Sequence, residues 1–323
     1  MKAAVVQDFL APPNYADYGV PEARADEVLV RVSASALSQL VRAQASGKHY
    51  SSGMPPLVPG VDGVGHLDDG RRVYFAFPRM PYGAMAQQTV VNSVNWVEVP
   101  DEVDDITAAA IANPGMSSWI ALTERVRLRI GETVLINGAA GASGRLAIRI
   151  ARFMGAGKVI VTARNSACFP GLLALGADQV IPLDLPASEL KAQFREAIHV
   201  QRTGIVLDYL WGASAEAFLQ VAGEYAGGRP QPHIRFVQIG SIAGADIALA
   251  GALLRSSRLE LLGSGLGSVS HSAIVDAAGQ VFQAIGAANL AIETECFDLA
   301  QVGEVWGRET TARIVFKIAQ EPA

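Results

Sequence analysis

One stretch of the chain carries the spacing of a phosphate-binding turn: Val134-Leu135-Ile136-Asn137-Gly138-Ala139-Ala140-Gly141-Ala142-Ser143-Gly144. Read as a fingerprint it is A-x-G-x-x-G, with Ala139, Gly141 and Gly144 at the marked positions. A glycine at 141 lets backbone approach a pyrophosphate with no Cβ in the way, and one at 144 lets a helix pack closely on its strand. The free N–H groups at the helix start, from Gly141 through Ala142, Ser143 and Gly144, then point at phosphate oxygens, aided by the helix dipole. The pattern follows an apolar strand-like run and opens a helical stripe, which is the context the motif requires.

The end of the next strand-like run reads Val161-Thr162-Ala163-Arg164-Asn165, with no acid before Asp178. A site for NAD places Asp or Glu near here to hold the ribose 2′-hydroxyl. Arg164 instead suits a 2′-phosphate, because its planar fork makes paired charge-assisted hydrogen bonds. The expected cofactor is therefore NADPH, with Asn165 as a helper to Arg164.

The elements that must position these residues fall into two textures. Over the first hundred or so residues, short β-rich runs such as Val28-Leu29-Val30-Arg31-Val32 and Arg72-Val73-Tyr74-Phe75 are broken by Pro and Gly clusters. That texture predicts a compact β-rich unit. From Gly131, strand runs alternate with helical patterns: 133–136, 159–162, 179–181, 205–207, 236–239 and 259–262. The first helix carries an apolar stripe of Leu146, Ala147, Ile150, Ala151 and Met154, and Arg145, Arg149 and Arg152 opposite it read as solvated charge. This alternation predicts an α/β fold with a doubly wound parallel sheet. The terminal run Arg313-Ile314-Val315-Phe316-Lys317 is expected to rejoin the first unit.

Composition narrows the function classes. The 323 residues carry a net charge of −5 with no cluster of five Lys or Arg, which argues against a nucleic-acid partner. Half the residues are hydrophobic, but no run approaches the ~18 apolar residues of a membrane-spanning helix. The opening Met-Lys-Ala-Ala-Val-Val breaks at Gln7 and Asp8, so a cytoplasmic, membrane-free protein is expected. Two cysteines, Cys168 and Cys296, read as free thiols, and the five histidines show no metal-ligand spacing. None of the seven tyrosines has Lys four residues later, which removes short-chain dehydrogenase chemistry.

Along nearly its whole length the chain resembles the zinc-independent quinone oxidoreductases of the medium-chain dehydrogenase/reductase superfamily. The resembling blocks are Asp26–Val32, Val58–Gly63, Gly115–Trp119, the glycine turn, Leu175–Asp178, Val206–Asp208 and Val237–Ser241. The resemblance implies a GroES-like β-rich catalytic domain, residues 1–116 completed by 267–323, and a Rossmann NADPH-binding domain over 117–266, with the active site in a cleft between them. It places Ser117 near the nicotinamide and Gly240 and Ser241 beside its ribose. It also brings the turn Leu262–Ser268, with Gly265 and Gly267, close to the cofactor. Where zinc-bearing relatives have Cys and Gly-His-Glu, this chain has Ala36-Leu37-Ser38-Gln39 and Gly60-Val61-Asp62-Gly63, so no metal is expected. Quinone oxidoreductases typically carry an Asn at the place of Ser38, and a Lys and a Tyr where this chain has Cys168 and Leu183.

The expected reaction is hydride transfer from NADPH to a quinone or an α,β-unsaturated carbonyl, which need no strong acid because they are already electron-poor. Tyr50 and Tyr82, in Gly- and Pro-bordered loops, and Ser38 are the catalytic candidates, since a hydroxyl can donate to a developing oxyanion. Two alternatives stay open: an NADPH-binding sensor or scaffold without turnover, and a zinc-free enoyl-thioester reductase. Arg258–Leu262 is expected to be the edge strand, and an uncovered edge invites pairing into a homodimer.

Overall fold

In the computed structural model, residues 1–224 and 231–320 are described. The chain divides into two compact units. The first comprises Met1–Asn113, His271–Gln283 and Ala291–Ala323, and the second comprises Pro114–Ser270 and Ala284–Leu290.

The first unit opens with an antiparallel pair, β1 (Lys2–Val5) and β2 (Asn14–Asp17). The long β3 (Glu27–Ala36) follows, with Val30, Val32, Ala34 and Ala36 buried at a period of two while Arg31 faces water. Short helix α1 (Gln39–Ala45) leads to β4 (Asp62–His66), β5 (Arg72–Ala76), β6 (Gln88–Asn92) and β7 (Trp96–Glu98). Helix α2 (Asp105–Ile120) starts where Asp104 accepts from the Thr107 N–H at 2.9 Å, an N-terminal cap on an otherwise orphan donor. It contains Pro114 and runs on into a π-helical turn, Ala121–Arg125.

The second unit alternates strand and helix. Its order is β8 (Thr133–Asn137), α3 (Ala142–Phe153), β9 (Lys158–Ala163), α4 (Phe169–Ala174), β10 (Gln179–Pro182) and α5 (Ala187–Arg195). Then come β11 (Thr203–Asp208), α6 (Gly212–Ala222), β12 (Ile234–Gln238), α7 (Gly251–Ser256) and β13 (Leu259–Gly263). The six strands are all parallel and lie in the order β10-β9-β8-β11-β12-β13. This is the dinucleotide-fold order, reversing direction between β8 and β11, and ligands of such sheets sit outside the strand C-termini at that reversal. β8 is buried at every position and β9 at all but its first, as a sheet covered by helices on both faces demands.

One expectation about the first helix is corrected here. Arg152 is not simply solvated: its guanidinium donates to the carbonyls of Gly176 (2.8 Å), Ala156 and Gly157 and pairs with Asp178. It ties the C-terminal end of α3 to the loops at the start of β9 and β10. Arg145 and Arg149 form no ion pair among the described residues.

After α8 (His271–Ala284) the chain supplies two more strands to the first unit, β14 (Thr294–Asp298) and β15 (Arg313–Lys317). The sheet then runs β14-β15-β3-β4-β5-β7, with β6 also paired to β3. Lys317 stands opposite Ala34 and Val315 opposite Ala36, so a strand from residues beyond 310 borders one laid down before residue 37. Among the described residues, no helix is long and apolar enough to cross a membrane.

Candidate functional site

The turn between β8 and α3 is built by steric necessity. Gly138 has φ +93°, the left-handed region, and a Cβ there would meet Leu210 Cγ at 2.7 Å. A Cβ on Gly144 would stand 2.5 Å from Ala139 Cα and 2.6 Å from the Gly138 carbonyl, so the helix lies directly on the turn. Gly141 differs: nothing lies within 4 Å of its Cβ position. It is the N-cap of α3, and no side chain caps the helix. The first N–H groups of the helix, on Ala142, Ser143 and Gly144, thus lack an intrahelical acceptor and face an open approach. A cradle of this kind fits a phosphate group.

Behind the turn, a buried polar network locks three strand ends together. Asn137, Thr162 and Asp208 end or nearly end β8, β9 and β11 and stand in register with one another. The Gly138 N–H donates to Thr162 Oγ1 (3.0 Å), which donates to Asn137 Oδ1 (2.7 Å). Asn137 Nδ2 then donates to Asp208 Oδ1 (2.8 Å) and Ser214 Oγ (2.9 Å). The Asp208 carboxylate also accepts from the N–H groups of Leu210 and Trp211, each at 3.1 Å. Burial pushes the Asp208 carboxyl above its ordinary range, while the Asn137 amide and the two backbone donors act in the opposite direction.

The other strand ends converge on the same edge. Arg164 follows β9 directly, is exposed, and forms no hydrogen bond or ion pair among the described residues. Asn165 beside it caps the next short turn, its side-chain oxygen accepting from the Ala167 N–H at 3.0 Å. Gly240 and Ser241 follow β12; a Cβ on Gly240 would lie 2.7 Å from the Tyr209 carbonyl, so the chain passes tightly behind β11. Gly265 and Gly267 lie in the turn after β13, which Ser268 closes by bonding both the N–H and the carbonyl of Gly265. Ser117 on α2 donates to the Pro114 carbonyl (2.8 Å) and stands 3.5 Å from the Tyr209 hydroxyl. Burial pushes the Tyr209 phenol up to about 12, against smaller opposing hydrogen bonds from Ser117 and Ser118, so it remains neutral.

The remaining three candidates belong to the first unit. Ser38 is buried and caps α1: its Oγ accepts from the Val41 N–H at 3.0 Å. Its hydroxyl hydrogen has no acceptor among the described residues. Tyr50 is 76% exposed and stacks on His49 at 4.1 Å between ring centroids. Tyr82 is half-buried, packed edge-on against Tyr18 (6.0 Å) and under the Arg79 guanidinium (5.5 Å). No bond or ring contact joins these three side chains to one another among the described residues.

No family model matches the chain. A protein of Emericella nidulans named "Probable NADPH-dependent quinone reductase" is 29% identical over 354 residues, covering 96% of this chain and 98% of its own. A quinone oxidoreductase of Pseudomonas aeruginosa is 31% identical over 152 residues, 44% of this chain and 46% of that one. In sequence the chain is thus similar to an NADPH-dependent quinone reductase along nearly its whole length and to a quinone oxidoreductase over part of it. A mycobacterial protein solved with NADPH superposes with a TM-score of 0.82 at 21% identity, covering 98% of this chain and 100% of that one, a likeness that carries the fold.

For a metal, the residues to consider lie in two stretches, 36–39 and 60–63. In the first, Ser38 is occupied as a helix cap. In the second, Asp62 is buried and accepts from the Tyr74 hydroxyl at 2.9 Å. Among the described residues no three His, Cys, Asp or Glu side chains group closely enough to hold a metal ion.

Sequence reading passed over Asn137, Thr162, Tyr209 and Ser214. A signal for the first two was present: each is a polar residue at the end of an otherwise apolar parallel strand, as are Asp208 and Gln238. Polar groups at such positions are buried and need partners, and a row of them marks the edge where a ligand sits.

Proposed function

We propose that the chain is an NADPH-dependent oxidoreductase that reduces quinones or α,β-unsaturated carbonyls without zinc. The observation that carries this reading is the open, side-chain-free helix start at Gly141, flanked on the β9 side by the unpaired guanidinium of Arg164. Ala142, Ser143 and Gly144 would hold the pyrophosphate through backbone N–H groups, and Arg164 the adenosine 2′-phosphate. Gly240, Ser241, Gly265 and Gly267, after the ends of β12 and β13, and Ser117, on α2 beside the Tyr209 hydroxyl, are assigned to the rest of the dinucleotide.

When bound, the reduced nicotinamide supplies the hydride. The chain's own part is to orient and to donate hydrogen bonds. The Thr162–Asn137–Asp208 network fixes the turn before any ligand arrives, so little reorganisation is needed on binding. A quinone or enone oxygen that gains charge needs a hydrogen-bond donor. Ser38, with a free hydroxyl hydrogen, and the phenols of Tyr50 and Tyr82 are the donors assigned to that role.

The test is direct. Purified protein should quench NADPH fluorescence on titration and oxidise NADPH when a quinone or enone is added. Binding without turnover across a broad panel would leave a dinucleotide-binding protein and remove the enzyme. Arg164→Asp should weaken NADPH binding by about tenfold to a hundredfold and spare NADH, since it replaces a charge-assisted contact with repulsion. An unchanged preference removes Arg164 from the site. We further propose a homodimer paired through β13, the sheet edge, where Glu260 and Leu261 are exposed. Light scattering at micromolar concentration should report twice the chain mass.

A further inference from the structure

We infer that Arg145 is a second guanidinium for the adenosine 2′-phosphate, facing Arg164 from the helix side of the same site. The inference rests on the cofactor reading above and adds a residue to it.

Arg145 lies in the first turn of α3, one position after Gly144. Gly144 faces the glycine turn, and a step of one residue turns the next side chain about 100° around the helix, toward the neighbouring β9–α4 connection. The contacts agree. Arg145 Nε donates back to the Ala140 carbonyl in the glycine turn at 2.9 Å, while Nη1 lies 3.8 Å from the Cβ position of Gly171 in α4. The guanidinium therefore spans from the phosphate-binding turn to the helix that follows Arg164. Its outer nitrogens have no acceptor among the described residues.

A cation here works against the local electrostatics. The N-terminus of a helix is its positive end, which favours carboxylates in the first turn and disfavours arginine. No acid relieves it nearby in sequence: from Ala139 through Ala177 there is no Asp or Glu. Two local choices, an uncapped helix start and an arginine beside it, are each unfavourable in the empty protein. Both become favourable when an anion arrives. Backbone N–H groups suffice for a pyrophosphate, so a guanidinium displaced toward β9 points to the additional phosphate carried there. Asn165 bonds the Ala167 N–H, and the Cys168 thiol bonds the Asn165 carbonyl at 2.9 Å.

Equilibrium titrations of the full chain test this with four ligands: NADPH, NADH, adenosine 2′,5′-bisphosphate and adenosine 5′-monophosphate. Arg145→Gln should weaken NADPH and the bisphosphate by about tenfold, the scale of one charge-assisted contact, and leave NADH and the monophosphate within about twofold. Arg145→Lys, which keeps the charge but loses the fork, should fall between. In the double variant with Arg164→Gln the bisphosphate should lose nearly all its advantage over the monophosphate. Equal weakening of all four ligands would assign Arg145 to the turn or the pyrophosphate and overturn the inference, as would no change for the bisphosphate. Failure of the wild-type chain to bind NADPH is a different result, one that removes the cofactor reading itself.

Discussion

Asp208 and Asp62 are both fully buried carboxylates, one at a strand end in each unit, and their surroundings differ sharply. Asp208 accepts from the Asn137 amide and from two successive backbone N–H groups, so both of its oxygens are engaged. Asp62 accepts one hydrogen bond, from the Tyr74 hydroxyl on Oδ2, while Oδ1 has no partner. The Arg313 guanidinium acts on Asp62 through space but does not form a salt bridge with it, and its own Nε and Nη2 are also unpartnered. Burial therefore dominates at Asp62 and pushes its carboxyl up to about 6, with Arg313 and then Tyr74 opposing. The difference separates two uses of a buried acid. One is a fixed node that aligns strand ends; the other is a group poised to change charge near neutral pH.

The comparison can be broken in four places. Asp208→Ala should have the largest effect, about 3–5 kcal/mol of stability, because it strands the Asn137 amide and two N–H groups without acceptors. Denaturant unfolding should show it, together with loss of NADPH binding; a loss below about 1 kcal/mol would mean that the network does not hold the turn.

Next comes the pH response of Asp62. Its folded pKa is raised from 3.8 to about 6, so the folded state holds that proton more tightly than the unfolded state does. The associated stability is fully present below pH 3.8 and is lost as pH rises through 6, a span of about 3 kcal/mol. Asp62→Asn should flatten that part of the unfolding profile; identical profiles for the two chains would show that the carboxyl does not titrate there.

Thr162→Val removes one acceptor and one donor from the network and should cost about 1–2 kcal/mol, with a matching fall in melting temperature. The smallest effect is expected from Tyr74→Phe. That change takes the single hydrogen bond from Asp62, should cost about 1 kcal/mol at neutral pH, and should move the Asp62 transition to higher pH. A transition that moves down instead would mean that the phenol is not its donor.

Much of the second unit could be read directly. Parallel strands buried on both faces are short apolar runs, and the turn after Asn137 needs glycines for reasons that apply to any sequence. What resisted reading depended on register. Asn137, Thr162 and Asp208 are 25 and 46 residues apart in the chain, and nothing local says that they meet until the strand order is known. Arg152 misled for a related reason: it sits on the polar face of an amphipathic helix, but its acceptors are carbonyls of loops that only the fold brings within reach. In the first unit, alternation along β3 was legible, whereas the roles of Ser38 and Asp62 were not. A serine before a short helix and an aspartate opening a strand look alike as polar punctuation. Only packing shows one to be a cap and the other a buried acid. The resemblance implies that residues 284–290 belong to the first unit, whereas they pack with the second.

The seating of β15 against β3 has a consequence for biosynthesis. The unit that begins first is finished last: Ala34 and Ala36 wait for Lys317 and Val315, whereas the second unit has all its residues once Leu290 is made. At ribosomal rates of about 5–20 residues per second, β3 spends many seconds as an open edge while its later neighbour is still being translated. A nascent chain stalled short of Arg313 would therefore carry a finished nucleotide-type fold beside an exposed β-edge, the kind of surface that chaperones capture.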